Sequence, residues 1–347
     1  MKKTENGAYA KLRRDVAEGH TENLYLFYGE ETYLKEHYKD RLVQLFGGQG
    51  FADFNVVVLD GDGVTADDLA DAVESLPVMS DRKLVLVRDL NLSRPPAGLK
   101  DQLQAILENV PDTVCLVLYF DTLEYKPDKR LKLWQTALKK GQAVEFSKAP
   151  PSELYPWIQR RCSALGKTIG RQECEYLTFV CGSLMTNLAS EIDKIAAGTP
   201  GEAIGKRDID RLACRVLEAQ IYQLTDCISS GDTAAAIRTL RDLLALRFEP
   251  VVLAGAIARQ VQKLYAAKLV LQQGMGEEKL MGLFAMRSSY PAKLLLRAAQ
   301  KRSLPWLRRA LHLCAQADVE LKSTVPDVAR VLELLLLRMA APEGGTL

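Results

Sequence analysis

Between Leu24 and Leu34 the chain reads LYLFYGEETYL, an apolar run, then a glycine, then two glutamates. A strand that turns on glycine into a helix is where a nucleotide-binding fold carries its phosphate loop. The motif G-x-x-x-x-G-K-[ST] works because glycine amides wrap the phosphates, a lysine neutralises them and a hydroxyl holds magnesium. Here Gly29 is the surviving glycine, followed by Glu30, Glu31 and Thr32, and the expected lysine is missing. A phosphate would meet two carboxylates at the helix start. Gly29, Glu30, Glu31 and Thr32 therefore read as a degenerate nucleotide site that does not bind ATP. No second ATPase element offsets the loss. Magnesium chemistry asks for an apolar strand ending in paired acids, whereas Leu84–Val87 runs into Arg88 and Asp89, and Val114–Phe120 into Asp121 alone. Neither intrinsic hydrolysis nor a cofactor is expected, and the function points toward a partner.

Other chemistry is equally thin. The DGDG segment at Asp60–Gly63 lacks the further ligands and twelfth-position glutamate of a calcium loop, so it reads as a surface turn. His20, His37 and His312 are far apart, and nothing places any of them beside a nucleophile. Seven cysteines include no C-x-x-C pair. Cys162, Cys174 and Cys181 form the closest group, at a spacing unsuited to zinc, so the thiols read as core residues. A net charge of +2 supplies no global field to draw in nucleic acid or membrane. Local basic clusters do occur, at Lys126, Lys129, Arg130 and Lys132, at Lys139 and Lys140, and at Lys301, Arg302, Arg308 and Arg309. The first residues are charged and carry no signal-like apolar stretch, and oily runs such as Leu334–Leu337 are too short to span a bilayer. A cytoplasmic protein without a membrane partner is expected.

The elements that must position these residues follow from periodicity. Val56–Leu59, Leu84–Val87, Val114–Phe120 and Ala143–Phe146 are short continuous apolar runs, the mark of strands buried on both faces. Helical spacing fills Glu31–Leu45, Ala66–Ser75, Gly98–Asn109 and Lys129–Lys139 between them. Strand and helix in alternation imply a parallel sheet with helices on both faces. Pro150 and Pro151 end that pattern, and no further strand is expected. A small helical unit (Glu153–Leu165, Arg171–Val180, Leu184–Ala196) precedes a turn at Gly198–Gly201, and long helices follow from Asp208. Gly231 and Asp232 read as a helix stop and a new cap. Pro250, Pro291, Pro305 and Pro326 fall where a first helical turn tolerates proline. The stripe Leu307, Ala310, Leu311, Cys314, Ala317 and Leu321, and that of Val328, Val331, Leu332, Leu335 and Leu336, suit a helical core or an oligomerisation collar.

One connection is unusually apolar for a loop. Between the helix Ala66–Ser75 and the strand Leu84–Val87 lie Leu76, Pro77, Val78, Met79, Ser80, Asp81, Arg82 and Lys83. Helix-to-strand loops of a parallel sheet lie on the edge opposite the ligand-receiving one, so this loop projects from the back of the nucleotide position. Leu76, Pro77, Val78 and Met79 are either a protein-docking plug or a cap folded back on the sheet.

Five strings in order carry a resemblance: LYLFYGEETYL at Leu24–Leu34, SLPVMSDRKLVLVRD at Ser75–Asp89, KPDKRLK at Lys126–Lys132, EIDKI at Glu191–Ile195 and ADVELK at Ala317–Lys322. Over nearly its whole length the chain resembles the delta subunit of the bacterial DNA polymerase III clamp loader. The resemblance implies an α/β plus all-α protein. Residues 1–148 would form a RecA/AAA+-like parallel-sheet domain with a degenerate P-loop, 149–207 a small helical lid domain, and 208–347 a helical collar domain. It implies a non-catalytic subunit of the DNA polymerase III holoenzyme, a hetero-oligomer that acts in DNA replication. Its partners would be the sliding clamp, the other clamp-loader subunits through the collar, and primer-template DNA within the assembled complex. The apolar pair that the family inserts into the clamp to favour an open ring matches Val78 and Met79, in place of the bulkier Leu-Phe of some relatives. The rival reading is a helical adaptor docking through residues 208–340.

Overall fold

The computed structural model describes residues 2–47, 52–121, 128, 130–323 and 327–341. Lys126, Lys129 and Pro326, singled out above, lie outside them. The chain divides into two compact units, the first made of Met1–Ala149 with Leu184–Thr186, the second of Pro150–Ser183 with Asn187–Leu347.

In the first unit the elements run α1 (Lys2–Ala17), β1 (Leu24–Tyr28), α2 (Thr32–Gly47), α3 (Ala52–Asn55), β2 (Val56–Asp60), α4 (Ala66–Glu74), β3 (Lys83–Arg88), α5 (Leu99–Glu108), β4 (Val114–Tyr119), α6 (Lys132–Lys140) and β5 (Gln142–Glu145). All five strands are parallel, in the order β2-β3-β4-β1-β5. Every residue of β1 and β4 is buried, which is why these strands read as unbroken apolar runs instead of alternating ones. One face is covered by Leu12 and Val16 of α1 with Tyr38 and Leu42 of α2, packed on Tyr25, Phe27, Leu86 and Val117. The other takes Leu69 and Val73 of α4, Leu99, Leu103 and Leu107 of α5, and Leu133 and Trp134 of α6. Helix α1 was not foreseen. Its charges mask a short apolar stripe, yet it packs beside the edge strand β5, where the side-chain amide of Gln142 donates to the Ala8 carbonyl at 2.9 Å.

The second unit continues with α7 (Pro151–Ala164), β6 (Thr168–Ile169), α8 (Arg171–Cys181), α9 (Met185–Gly198), β7 (Ala203–Ile204), α10 (Lys206–Leu212), α11 (Leu217–Ser230), α12 (Thr233–Ala245), α13 (Pro250–Gln272), α14 (Glu277–Leu283), α15 (Ser289–Gln300), α16 (Leu304–Lys322) and α17 (Val328–Ala340). The expectation of no strand beyond Pro150 is corrected: β6 and β7 pair in parallel through two residues each, too few to leave a periodic signal. The two predicted helix stripes are mostly core, with Leu307, Ala310, Cys314, Ala317 and Leu321 of α16 and Val331, Leu332, Leu335 and Leu336 of α17 buried in one cluster, whereas Leu311 is only partly buried and Val328 is exposed. Gly231 ends α11 at φ 88°, in the left-handed region that favours glycine, and Asp232 caps α12 by accepting from the Ala235 amide at 2.9 Å. The uniform core assignment of the cysteines is also corrected. Five are buried, but Cys227 is only partly so and Cys214 is exposed, its thiol 3.4 Å from the Lys194 ammonium. No described helix is long and apolar enough to cross a membrane.

Candidate functional site

The apolar loop leaves a helix that is fixed at its start. Thr65 and Asp68 form a reciprocal cap on α4: Thr65 Oγ1 accepts from the Asp68 amide at 3.1 Å, and the Thr65 amide donates to Asp68 Oδ2 at 3.0 Å. At the other end Ser75 Oγ accepts from the Lys83 ammonium at 2.6 Å, closing the loop on itself. Lys83 is buried, and burial lowers its pKa. Between these ends the fully buried Asn55 grips the backbone of Val78. Its Oδ1 accepts from the Val78 amide at 2.8 Å and its Nδ2 donates to the Val78 carbonyl at 2.8 Å, the two-bond pattern of a strand pair made by a side chain. The loop therefore does not fold back to cap the sheet: Leu76 is 79% exposed, Met79 84% and Val78 41%, while Pro77 is partly covered. Phe54, the residue before Asn55, is also exposed, at 63%. Met79 sits at φ 52°, a left-handed conformation costing roughly 1–2 kcal/mol for a non-glycine residue, which the Asn55 grip on the preceding residue holds in place.

Asn55 is therefore a residue that sequence reading missed, because its 23-residue separation from Val78 leaves no local pattern. Asn55→Ala should remove both bonds. Amide exchange at Val78 is expected to speed up by about tenfold, at a stability loss of about 1–2 kcal/mol. Exchange followed residue by residue checks this.

The loop ends in Arg82, whose guanidinium lies at the sheet edge where β1, β3 and β4 begin. One terminal nitrogen donates to the Thr21 carbonyl (3.0 Å) and hydroxyl (2.7 Å). The other donates to the carbonyls of Glu22 (3.3 Å) and Val114 (3.0 Å) and to Asn23 Oδ1 (2.7 Å). The planar fork reaches all five acceptors at once, a geometry that a lysine could not supply.

The segment Gly29–Thr32, read above as a degenerate nucleotide site, lies at the opposite edge of the sheet, beyond the end of β1. Gly29 has φ 114°, and a Cβ there would stand 2.5 Å from the Phe146 carbonyl oxygen, so only glycine fits. Glu30 points outward and pairs with Lys148 at 3.0 Å. Glu31 turns inward and is completely buried. Its amide donates to the Phe146 carbonyl at 2.9 Å, and its carboxyl oxygens accept from the Met185 amide at 3.2 and 3.3 Å. Burial pushes the Glu31 carboxyl up to about 7, opposed by the amides of Met185 and Tyr33. Thr32 begins α2 directly, leaving no loop length to wrap a phosphate.

The missing lysine needs a correction. Counting from Gly29, Lys35 falls at the motif's lysine position, with Leu34 replacing the second glycine and Glu36 the hydroxyl residue. Helix α2 starts before that point and carries Lys35 into the core, where its ammonium donates to the Phe120 carbonyl at 2.5 Å. Burial lowers the Lys35 pKa, with Asp121, Asp89, Glu36 and Glu31 opposing. The acids beyond β3 and β4 are engaged too. Asp89 accepts from the Asp121 amide at 2.8 Å, and Asp121 pairs with Arg88 at 3.3 Å. Among the described residues no group of His, Cys, Asp and Glu could hold a metal ion.

Comparison with known proteins resolves the family. The pattern described as DNA polymerase III, delta subunit, matches residues 25–147, and that of the delta subunit's C-terminal domain matches residues 218–339. The chain belongs to the DNA polymerase III delta subunit family. Within that family it is 24% identical over 331 residues to the DNA polymerase III subunit delta of Bacillus subtilis (strain 168), a match covering 94% of this chain and 95% of that one. The solved structure of the Bacillus subtilis DNA clamp loader delta protein is similar at a TM-score of 0.52 and 25% identity, covering 95% of this chain and 98% of that one. A parallel sheet covered by helices on both faces, followed by a largely helical unit, agrees with the α/β plus all-α expectation.

Proposed function

We propose that this delta-family chain binds the sliding clamp through Leu76, Pro77, Val78 and Met79 and favours the open ring during DNA replication. The observation that carries this reading is an exposed apolar tip, Leu76 with Met79, on a backbone pinned by Asn55 and Arg82. Apolar side chains facing water on a fixed backbone bind at a reduced ordering cost. Burying Val78 and Met79 in a partner's pocket contributes roughly 1.5–3 kcal/mol each before the cost of association. Methionine adapts to an irregular groove. A ligand opens a strained ring only through higher affinity for the open form, and this loop would supply that preference.

The subunit would be non-catalytic. Glu31 takes up the Tyr33 amide at the start of α2 that a phosphate would need, and Lys35 is committed to a backbone carbonyl, so ATP-driven steps would fall to neighbouring subunits. Residues 1–148 would carry the clamp contact, 149–207 a lid, and 208–347 the collar that joins the other clamp-loader subunits in the cytoplasm. Primer-template DNA would be a partner only within that assembly.

The test is the double variant Val78→Ser with Met79→Ser, titrated against the purified sliding clamp. Clamp binding should weaken by at least about thirtyfold, with the thermal unfolding midpoint within about 2 °C of the parent because both side chains face water. Unchanged clamp binding would instead favour docking through the helices of residues 208–340.

A further inference from the structure

We propose that Glu31 is a built-in substitute for a bound phosphate: one carboxyl that caps the starts of α2 and α9 without nucleotide. A helix leaves its first amides without internal acceptors, and its dipole favours an electronegative group at that end. Phosphates bind helix starts for this reason. Here the acceptor comes from the chain itself. Glu31 receives the amide of Tyr33 at the start of α2 and that of Met185, the first residue of α9. Glu31 and Met185 are 154 residues apart, so no local turn imposes the contact.

Three details support a built position over a chance one. The Glu31 backbone is tied to the end of β5 through the Phe146 carbonyl. Both Glu31 and Met185 are buried. Leu184–Thr186, which includes Met185, belongs to the first compact unit together with Glu31. The charged groups around the carboxyl are Glu30 on the same turn, Lys148 beyond β5 and Lys35 on α2, while Leu184, Met185 and Thr186 bring none. A carboxyl can accept through an oxygen in either protonation state, so the cap persists across neutral pH.

The experiment is amide exchange on the full chain near neutral pH, comparing the parent with Glu31→Gln, which keeps size and an acceptor, and Glu31→Ala, which removes both. Exchange at Met185 should rise by about tenfold or more in Glu31→Ala and stay within about threefold of the parent in Glu31→Gln, with β1 and β4 unchanged in both. Inorganic phosphate, against chloride at equal ionic strength, should slow Met185 exchange in Glu31→Ala and leave the parent unaffected. Unchanged exchange in Glu31→Ala, or equal acceleration in both variants, would overturn the cap. Absence of any phosphate effect on Glu31→Ala would overturn the substitution for phosphate. Should Glu31→Ala fail to fold, acceleration in Glu31→Gln beyond threefold would count against the proposal and retained protection for it.

Discussion

Arg82→Met is expected to lower the stability of the first unit by roughly 2 kcal/mol, the cost of leaving several part-buried acceptors without their charged donor. The methionine keeps the apolar stem but donates to none of the five oxygens that the guanidinium reaches on Thr21, Glu22, Asn23 and Val114. Three of these are backbone carbonyls, on residues that enter β1 and begin β4, so the loss falls where three strands are aligned. The same change frees one anchor of the apolar loop, and clamp affinity should fall with stability. Urea unfolding together with clamp titration separates this variant from Val78→Ser with Met79→Ser, which should lose affinity alone.

Glu31 gives a second large effect, with a sign opposite to that of an ordinary ion-paired carboxylate. Burial raises its pKa from 4.5 in the unfolded chain to about 7 in the folded one. Below the lower value both states hold the proton and the residue contributes no pH dependence. As pH rises between the two values the unfolded chain releases its proton while the folded chain keeps it, and stability falls. Above the higher value the penalty is constant, at roughly 3 kcal/mol. Glu31→Gln titrates nowhere in this window. The stability of Glu31→Gln relative to the parent should therefore rise by roughly 3 kcal/mol between about pH 4 and about pH 8, measured by urea unfolding. A flat difference would show that Glu31 is solvated in the folded chain.

What could be read from sequence follows range. Leu24–Tyr28, Leu84–Val87 within β3 and Val114–Tyr119 announce themselves because strand segments covered on both faces must be apolar, and the stripes of α16 and α17 because each repeats within one helix. The apolar loop was legible as a break in composition. Its orientation was not, since the grip of Asn55 on Val78 joins residues from separate elements. Glu31 reads locally as an obstacle to phosphate, and its role as a cap depends on Met185, which no spacing rule connects to it. Lys35 was overlooked when the motif was read as lacking its lysine, and the early start of α2 decides where that lysine goes. Helix α1 and the strands β6 and β7 were missed for want of signal, the first masked by charge and the others only two residues long.

The central claim is that Met79 and its neighbours enter the clamp. Methionine oxidation footprinting of the chain, free and saturated with sliding clamp, measures this at the residue itself, because Met79 is 84% exposed in the free chain. Oxidation of Met79 should fall by about tenfold or more on clamp binding, while the buried Met339 of the second unit reacts slowly and equally in both samples. A saturated complex in which Met79 oxidises as fast as in the free chain would contradict the account.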